Sequence, residues 1–306
     1  MAHPETGTDI PANTTDIATD IVIVGGGPAG LQAALTVGRV HREAVLLDDG
    51  RYRNAAVAHM HNLIGADGTT PEEFRSRARR ELAAYETIRL LNEGASGIVA
   101  AEGGFVTTLA GGGVVRSRAV VLATGVRDEL PPVPGLAQVW GGRVAHCPFC
   151  HAHEFAGGRF GILGTATATH LSRMLAPVAG SVVVLPLEGD EADGRPVDQP
   201  TVVGMRDTGA ALEVTLADDS VEVVDVAFVA PALRQRSDLP ALLGLEPNPS
   251  GCVRVDEFQR TSVPGVLAAG DMAHLPAYPM PMASVASATA AGQLAASAAI
   301  MHLLSM

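Results

Sequence analysis

The segment from Asp20 to Asp48 constrains this chain more than any other. Asp20 to Val24 is a short apolar run that ends in Gly25-Gly26-Gly27-Pro28-Ala29-Gly30. A helix-compatible LQAALTVGRV follows, then a second apolar run, Ala44 to Leu47, that stops at Asp48-Asp49-Gly50. Apolar periodicity and the glycine break predict strand, turn, helix, strand and acid. The spacing fits a dinucleotide-binding unit. Gly25 makes the turn, Gly27 lets the backbone approach a pyrophosphate, and Gly30 permits close helix-to-strand packing. Pro28 and Ala29 complete the turn, and Asp48, with Asp49 beside it, stands where a carboxylate accepts ribose hydroxyls.

Two later stretches have similar endings. Val120 to Gly125 reads VVLATG and Val266 to Asp271 reads VLAAGD. Strand ends of this kind collect at one ligand crevice in α/β sheets. With the opening motif they resemble the flavoproteins built from two dinucleotide-binding domains. That resemblance implies FAD in the first site, with Ala123, Thr124 and Gly125 beside it and Asp271 on its ribityl chain. It also implies an α/β fold of two Rossmann-like domains, the second inserted into the first: residues 20–127 plus 237–306 around the flavin, residues 128–236 as the insert, and a loose tail over 1–19.

The insert opens after Pro131-Pro132-Val133-Pro134-Gly135, which reads as a stiff linker. Arg159 to Gly164 and Ser181 to Leu185 predict two strands around a helical TATATHLSRMLAPVAG. The glycine chemistry is eroded there. Ala166 stands where the second glycine belongs and Thr169 where the third does, and a Cβ at Ala166 obstructs backbone approach to a pyrophosphate. After the second strand the sequence is Pro186-Leu187-Glu188-Gly189-Asp190-Glu191-Ala192-Asp193. Those acids repel a 2′-phosphate that needs Arg, so NADPH fits poorly. NADH remains open, because Glu188 lies about where a ribose-binding carboxylate belongs. The other reading is a vestigial domain kept for its fold, its dimer contacts or its placement of a cysteine motif.

Composition narrows the function classes. All 21 basic residues are Arg, 33 are acidic, and the formal net charge is −12. Nucleic acid and anionic membrane surfaces both need a basic face, so neither is expected as a partner. The first twenty residues lack the charged and apolar regions of a signal peptide, and the chain reads as cytoplasmic. Met282 to Met306, Ala-rich and almost uncharged, reads as a small-residue helix in a soluble core rather than a membrane span, because Gln293, His302 and scattered hydroxyls interrupt it. Three cysteines are too few for a disulfide-stapled secreted scaffold.

Two of those cysteines sit in AHCPFCHAHE, residues 145–154. Cys147 and Cys150 are spaced to close a small redox ring, and His146 and His151 flank them, with His153 near. An imidazole beside a thiol takes its proton near neutral pH, as thiol-disulfide exchange requires. Zinc is the chief competitor, since Cys and His are its ligands. One CxxC with local His supplies too few well-spaced ligands, and Cys252 stands alone about a hundred residues on, so no metal is expected.

An FAD domain, a CxxC in a second domain, ATG and GD strand ends and this length resemble the low-molecular-weight thioredoxin reductase family. CPFCH with a following Glu, the DDG-x-x-RN run from Asp48 to Asn54, and HMHNLIG at His59 to Gly65 are similar to one subgroup, the FAD-dependent dithiol oxidases of natural-product biosynthesis, of gliotoxin and holomycin type. The resemblance implies that a small dithiol is closed to a disulfide and that electrons pass from the cysteine pair through FAD to O2, giving H2O2. Cys150 would be the charge-transfer cysteine against the flavin and Cys147 the interchange cysteine that meets the substrate. His151 would be the acid/base group, with His146 as substitute. Arg51, Arg53, Asn54, His59 and His61 would lie along the FAD, or form a solvated loop. Pro276 to Met282 would wall the substrate pocket, or simply pack. The family forms homodimers, so a homodimer is expected. A disulfide reductase fed by NADH, ferredoxin or another donor, and a non-enzymatic flavin or redox sensor, are the alternatives.

Overall fold

A computed structural model describes residues 16–192 and 194–306, which divide into two compact units. Among the described residues the first comprises 16–52, 75–126 and 235–306, and the second 53–74 and 127–234. The crossings at 126/127 and 234/235 fall near the sequence expectations of 128 and 236. Residues 53–74, expected in the FAD domain, group with the second unit.

In the first unit, β1 (Asp16–Val24), β2 (Ala44–Leu47), β3 (Ile88–Leu91), β4 (Ala95–Ala101), β5 (Gly104–Leu109) and β6 (Val114–Leu122) form one sheet in the order β3-β2-β1-β6-β5-β4. The strand Val266–Ala268 adds to β6, with Val266 opposite Val120. The inner half of β1, Ile21 to Val24, is buried, as continuous apolar strands of parallel sheets are. Asp16 to Thr19, expected in the tail, extend β1 and pair with Val114 to Ser117. The rest of that tail lies outside the described residues.

Helix α1 (Pro28–Arg39) leaves the glycine turn, and α2 (Pro71–Leu82) enters the sheet through β3. The C-terminal helix Val285–Leu304 packs on α1 through Ala288, Gly292, Ala295, Ala296 and Ala299. A Cβ at Gly292 would overlap the Ala29 carbonyl, so the small residues set how closely the helices approach. Ser284 caps this helix by accepting the Ser287 N–H at 3.1 Å. Among the described residues no helix is long and apolar enough to cross a membrane.

After residues 53–74, the second unit takes in β7 (Val126–Glu129) from residue 127 on, and then the one-turn helix α3 (Leu136–Val139). Then come β8 (Val144–Ala145), the one-turn helix α4 (Pro148–His151), β9 (Arg159–Leu163), α5 (Ala168–Leu175) and β10 (Ser181–Leu185). A parallel sheet runs β10, β9, strand Val226–Val229, β8. Strands Val202–Asp207, Leu212–Leu216 and Val221–Val224 form an antiparallel layer. The proline run is not an open linker. The Pro134 carbonyl accepts the Met205 N–H at 2.9 Å, and Gly135 at φ +87° backs directly onto the same strand.

Candidate functional site

The carboxyl ends of β2, β1, β6 and strand Val266–Ala268 are neighbours in the first unit, and the glycine turn, Asp48, the ATG end and the GD end each sit on one of them. Gly25 (φ +117°) donates its N–H to Leu47 at 2.8 Å, and a Cβ there would overlap the Ala123 carbonyl. Ala123 donates to Val24 at 2.8 Å, and Ala269 to Leu122 at 2.9 Å. The GGG turn, Ala123-Thr124-Gly125, and Gly270-Asp271 are thereby drawn to one edge. This is the crevice where open α/β sheets bind dinucleotides.

The residues present fit FAD there. Gly27 is the N-cap of the twelve-residue α1, and a Cβ built on it meets nothing within 4 Å, so a pyrophosphate has room against the backbone at a helix N-terminus. Gly30 cannot carry a Cβ without overlapping the Gly25 carbonyl. Gly26, which the spacing argument passed over, is as tightly held: its Cβ would fall on the Asp48 carboxylate.

Asp48 and Asp49 part company. Asp49 faces outward and pairs with Arg51, accepting Nη2 at 2.6 Å. Asp48 is buried; its Oδ1 accepts the Gly50 N–H at 2.9 Å and its Oδ2 accepts the Tyr52 hydroxyl at 2.7 Å and the Arg79 guanidinium. Those three donors use most of a carboxylate's roughly four acceptor positions. Burial first, then the bond to Asp48, pushes the Tyr52 hydroxyl above its usual range, so it stays a neutral donor. Arg75, one turn before Arg79 on α2, lies 3.9 Å over the Tyr52 ring. Tyr52, Arg75 and Arg79 escaped the sequence reading; an acid at a strand end with Arg four apart on the following helix is the signal that marks them.

Arg53, Asn54 and His61 belong to the second unit. Arg53 forks onto Asp128, with Nη2 to Oδ1 at 2.6 Å and Nε to Oδ2 at 3.0 Å. Asn54 Nδ2 lies 3.6 Å from the Met60 sulfur. His61 faces Asp67 and Glu154.

In the same unit Cys147 and Cys150 are joined as a disulfide, their Cα atoms 5.3 Å apart, with Cys150 on α4 and Cys147 as its N-cap. Both are partly exposed, and Phe149 between them is 68% exposed, so the sulfurs sit on an accessible apolar surface. His151 Nε2 meets the Gly142 carbonyl. A carbonyl only accepts, so Nε2 carries the hydrogen, and Nδ1 is the basic atom of the neutral ring. His146 stacks on Trp140 with ring centroids 6.0 Å apart. Among the described residues no group of His, Cys, Asp and Glu is arranged to hold a metal.

The turn after β9 holds a further departure from a nucleotide site. Gly164 keeps a positive φ of +91°, but the Thr165 N–H is donated to Asp190 Oδ2 at 2.9 Å. The same oxygen accepts the Leu187 N–H at 2.8 Å. Where a dinucleotide-binding domain offers backbone N–H groups to a pyrophosphate, this unit supplies its own carboxylate. Glu188, the alternative ribose acid, is exposed.

The profile of the pyridine nucleotide-disulphide oxidoreductases matches residues 19–185 and 197–295. Thioredoxin reductase tcpT of Claviceps purpurea is 36% identical over 84% of this chain and 88% of its own. The crystal structure of HlmI superposes with a TM-score of 0.86 at 32% identity, covering 96% of this chain and 95% of that one. An oxidoreductase from Agrobacterium tumefaciens gives 0.85 at 31% identity, over 94% and 99%.

Proposed function

The chain belongs to the pyridine nucleotide-disulphide oxidoreductase family, a flavin-dependent thiol/disulfide oxidoreductase that binds FAD, and from that premise we propose that it oxidises small dithiols to intramolecular disulfides with O2 as final acceptor. The observation that carries this reading is Asp190. Its carboxylate occupies the Thr165 N–H of the second unit's nucleotide turn together with the Leu187 N–H beyond β10, and an internal anion there opposes binding of a nicotinamide pyrophosphate. With that entry for electrons disfavoured, the substrate thiols are the donor.

The steps balance as follows. A substrate thiolate attacks Cys147 Sγ, the Cys147–Cys150 bond breaks, and Cys150 leaves as a thiolate. The substrate's second thiol, deprotonated by His151 Nδ1, attacks the substrate sulfur of the mixed disulfide and expels Cys147, completing the substrate disulfide. Two electrons and two protons have left the substrate, and the cysteine pair is reduced. FAD, which the glycine turn at the start of α1 would hold, would supply the acceptor for that electron pair and its route to O2, which with two protons gives H2O2. Gly142 fixes the tautomer that leaves Nδ1 free for the proton. Arg53, Asn54 and the Pro276 to Met282 loop are proposed contacts of cofactor or substrate on the resemblance alone.

A homodimer is part of the same reading. The exposed face of the C-terminal helix presents Ala286, Ala290, Leu294, Met301 and Leu304, and no residue of that helix is Asp, Glu, Lys or Arg.

The test mixes the yellow holoprotein with dithiothreitol in air while oxygen and peroxide are followed. Oxygen uptake without nicotinamide, with one peroxide per dithiol oxidised, is expected. No uptake, together with bleaching of the flavin by anaerobic NADH, overturns the reading in favour of a reductase, the activity in the name of the relative tcpT.

A further inference from the structure

His61 has a carboxylate on each side. Its Nδ1 is 3.4 Å from Asp67 Oδ2, and its Nε2 is 3.5 Å from Glu154 Oε1. A neutral imidazole has one N–H and can donate to one of them, whereas an imidazolium donates to both. The His59 ring lies 6.5 Å from that of His61, and His153 adds positive field at Asp67. The Asn62 N–H first, and then the His61 side chain, hold the Asp67 carboxyl below its ordinary range, so Asp67 is an anion at neutral pH.

The two carboxylates belong to different segments. Asp67 is on the 60–69 loop, which closes on itself: Met60 donates to the Thr69 carbonyl at 2.8 Å, Gly68 to Met60 at 2.8 Å, and Asn62, at φ +61°, to Asp67 Oδ1 at 2.7 Å. The loop is therefore closed by its own hydrogen bonds. Glu154 is four residues beyond Cys150, in the short 3₁₀ turn that follows α4. The backbone between them makes the turns Ala152 to Pro148 at 3.0 Å and Phe155 to Ala152 at 3.2 Å, and it is anchored by the His151 ring on the Gly142 carbonyl and by the buried Ala152.

We propose that His61 is a proton-operated latch: protonated, it ties the 60–69 loop to Glu154 and so fixes the segment carrying Cys150; neutral, it lets one of the two go. His61 is a positioning residue, acting on Cys150 through Glu154, and this role rests on Cys147–Cys150 being the pair that the substrate dithiol reduces. Rising pH makes thiolate and speeds attack, while the same rise opens the latch. The reductive step, corrected for the thiolate fraction of the attacking dithiol, is then fastest on the acid side and falls as His61 loses its proton. A partly exposed ion pair shifts an equilibrium by only about two- to fivefold, which sets the size of the fall.

Two measurements on the holoprotein decide it, across about pH 5 to 8 where histidine changes charge. Hydrogen exchange of peptides covering 60–69 and 152–156, corrected for intrinsic rate, should lose about two- to fivefold of its protection as pH rises in the wild type. His61→Gln and Glu154→Gln should each give flat, low protection. Anaerobic reduction by dithiothreitol, read in flavin absorbance, should show the matching step in the wild type and none in the variants. A fall with rising pH that persists in His61→Gln, in either measurement, overturns the latch; a rise with pH belongs to the His151 base. If dithiothreitol fails to reduce the wild-type protein at all, the oxidase reading falls, and the exchange experiment still decides the latch.

Discussion

At single residues, two adjacent glycines in one turn answer to different constraints. Gly26 is pressed by the Asp48 carboxylate, a contact internal to the protein, whereas Gly27 faces open space. Gly26→Ala must displace a buried, triply bonded carboxylate and should cost about 2–4 kcal/mol of stability as well as the flavin. Gly27→Ala, whose φ of −76° suits alanine, should melt within about 1 °C of the wild-type apoprotein, yet lose at least about tenfold in FAD affinity because its methyl fills the pyrophosphate's approach. Flavin fluorescence titration and thermal melts of the apoproteins separate the two; equal melting temperatures would remove the distinction. Tyr52 adds a pH effect. Its raised folded value means that its stability contribution is complete below about pH 10, the unfolded tyrosine value, and is lost as pH climbs through the folded one. Tyr52→Phe should therefore lower stability at neutral pH by about 1–3 kcal/mol and flatten the alkaline limb of a urea-denaturation series. A variant that keeps the wild-type alkaline slope would locate that slope elsewhere.

Among the elements, α1 and the C-terminal helix are joined by Ala and Gly on both sides, so their contact is decided by backbone distance rather than by interlocking large side chains. Gly292→Ala places a methyl on the Ala29 carbonyl at the first turn of α1, next to the glycine turn. It should cost about 1–3 kcal/mol by overpacking, lowering the melting temperature by roughly 3–10 °C and loosening FAD at the same time. Gln293→Ala, exposed on the same helix, should do neither. The strands that line the crevice were legible in the sequence because each is an apolar run closed by a small-residue or acidic turn, and the flavin crevice followed from where those turns fall; the strands of the antiparallel layer carried no such mark. What escaped notice depends on partners far apart in the chain. Arg53 is drawn to the second unit by Asp128, 75 residues on, and Asp190 reaches back 25 residues to Thr165. Neither partner shows in periodicity, and Asp190 read only as one acid in a run of acids, its carboxylate's position being set by the turn after β10.

For the whole molecule, charge and assembly are coupled. Each chain carries a formal −12, so two copies repel, and an uncharged contact face adds no further charge to that repulsion. The exposed side of the C-terminal helix is such a face, with Leu294 44%, Met301 64% and Leu304 63% exposed in the single chain. Association there gains apolar burial and works against a net repulsion, and salt screens the repulsion while leaving the burial intact. The proposed dimer should therefore tighten as ionic strength rises from about 0.1 to about 1 M, the reverse of an interface built on ion pairs. Sedimentation equilibrium should give a mass near twice the 31.4 kDa of one chain and a dissociation constant that falls with added salt. Leu294→Asp combined with Met301→Asp should leave a monomer, because each copy would then bring two further negative charges to the face on which it meets its partner. A dimer that survives both substitutions, or that weakens in salt, would place the contact on another surface, one where the arginines of one chain meet the acids of the next.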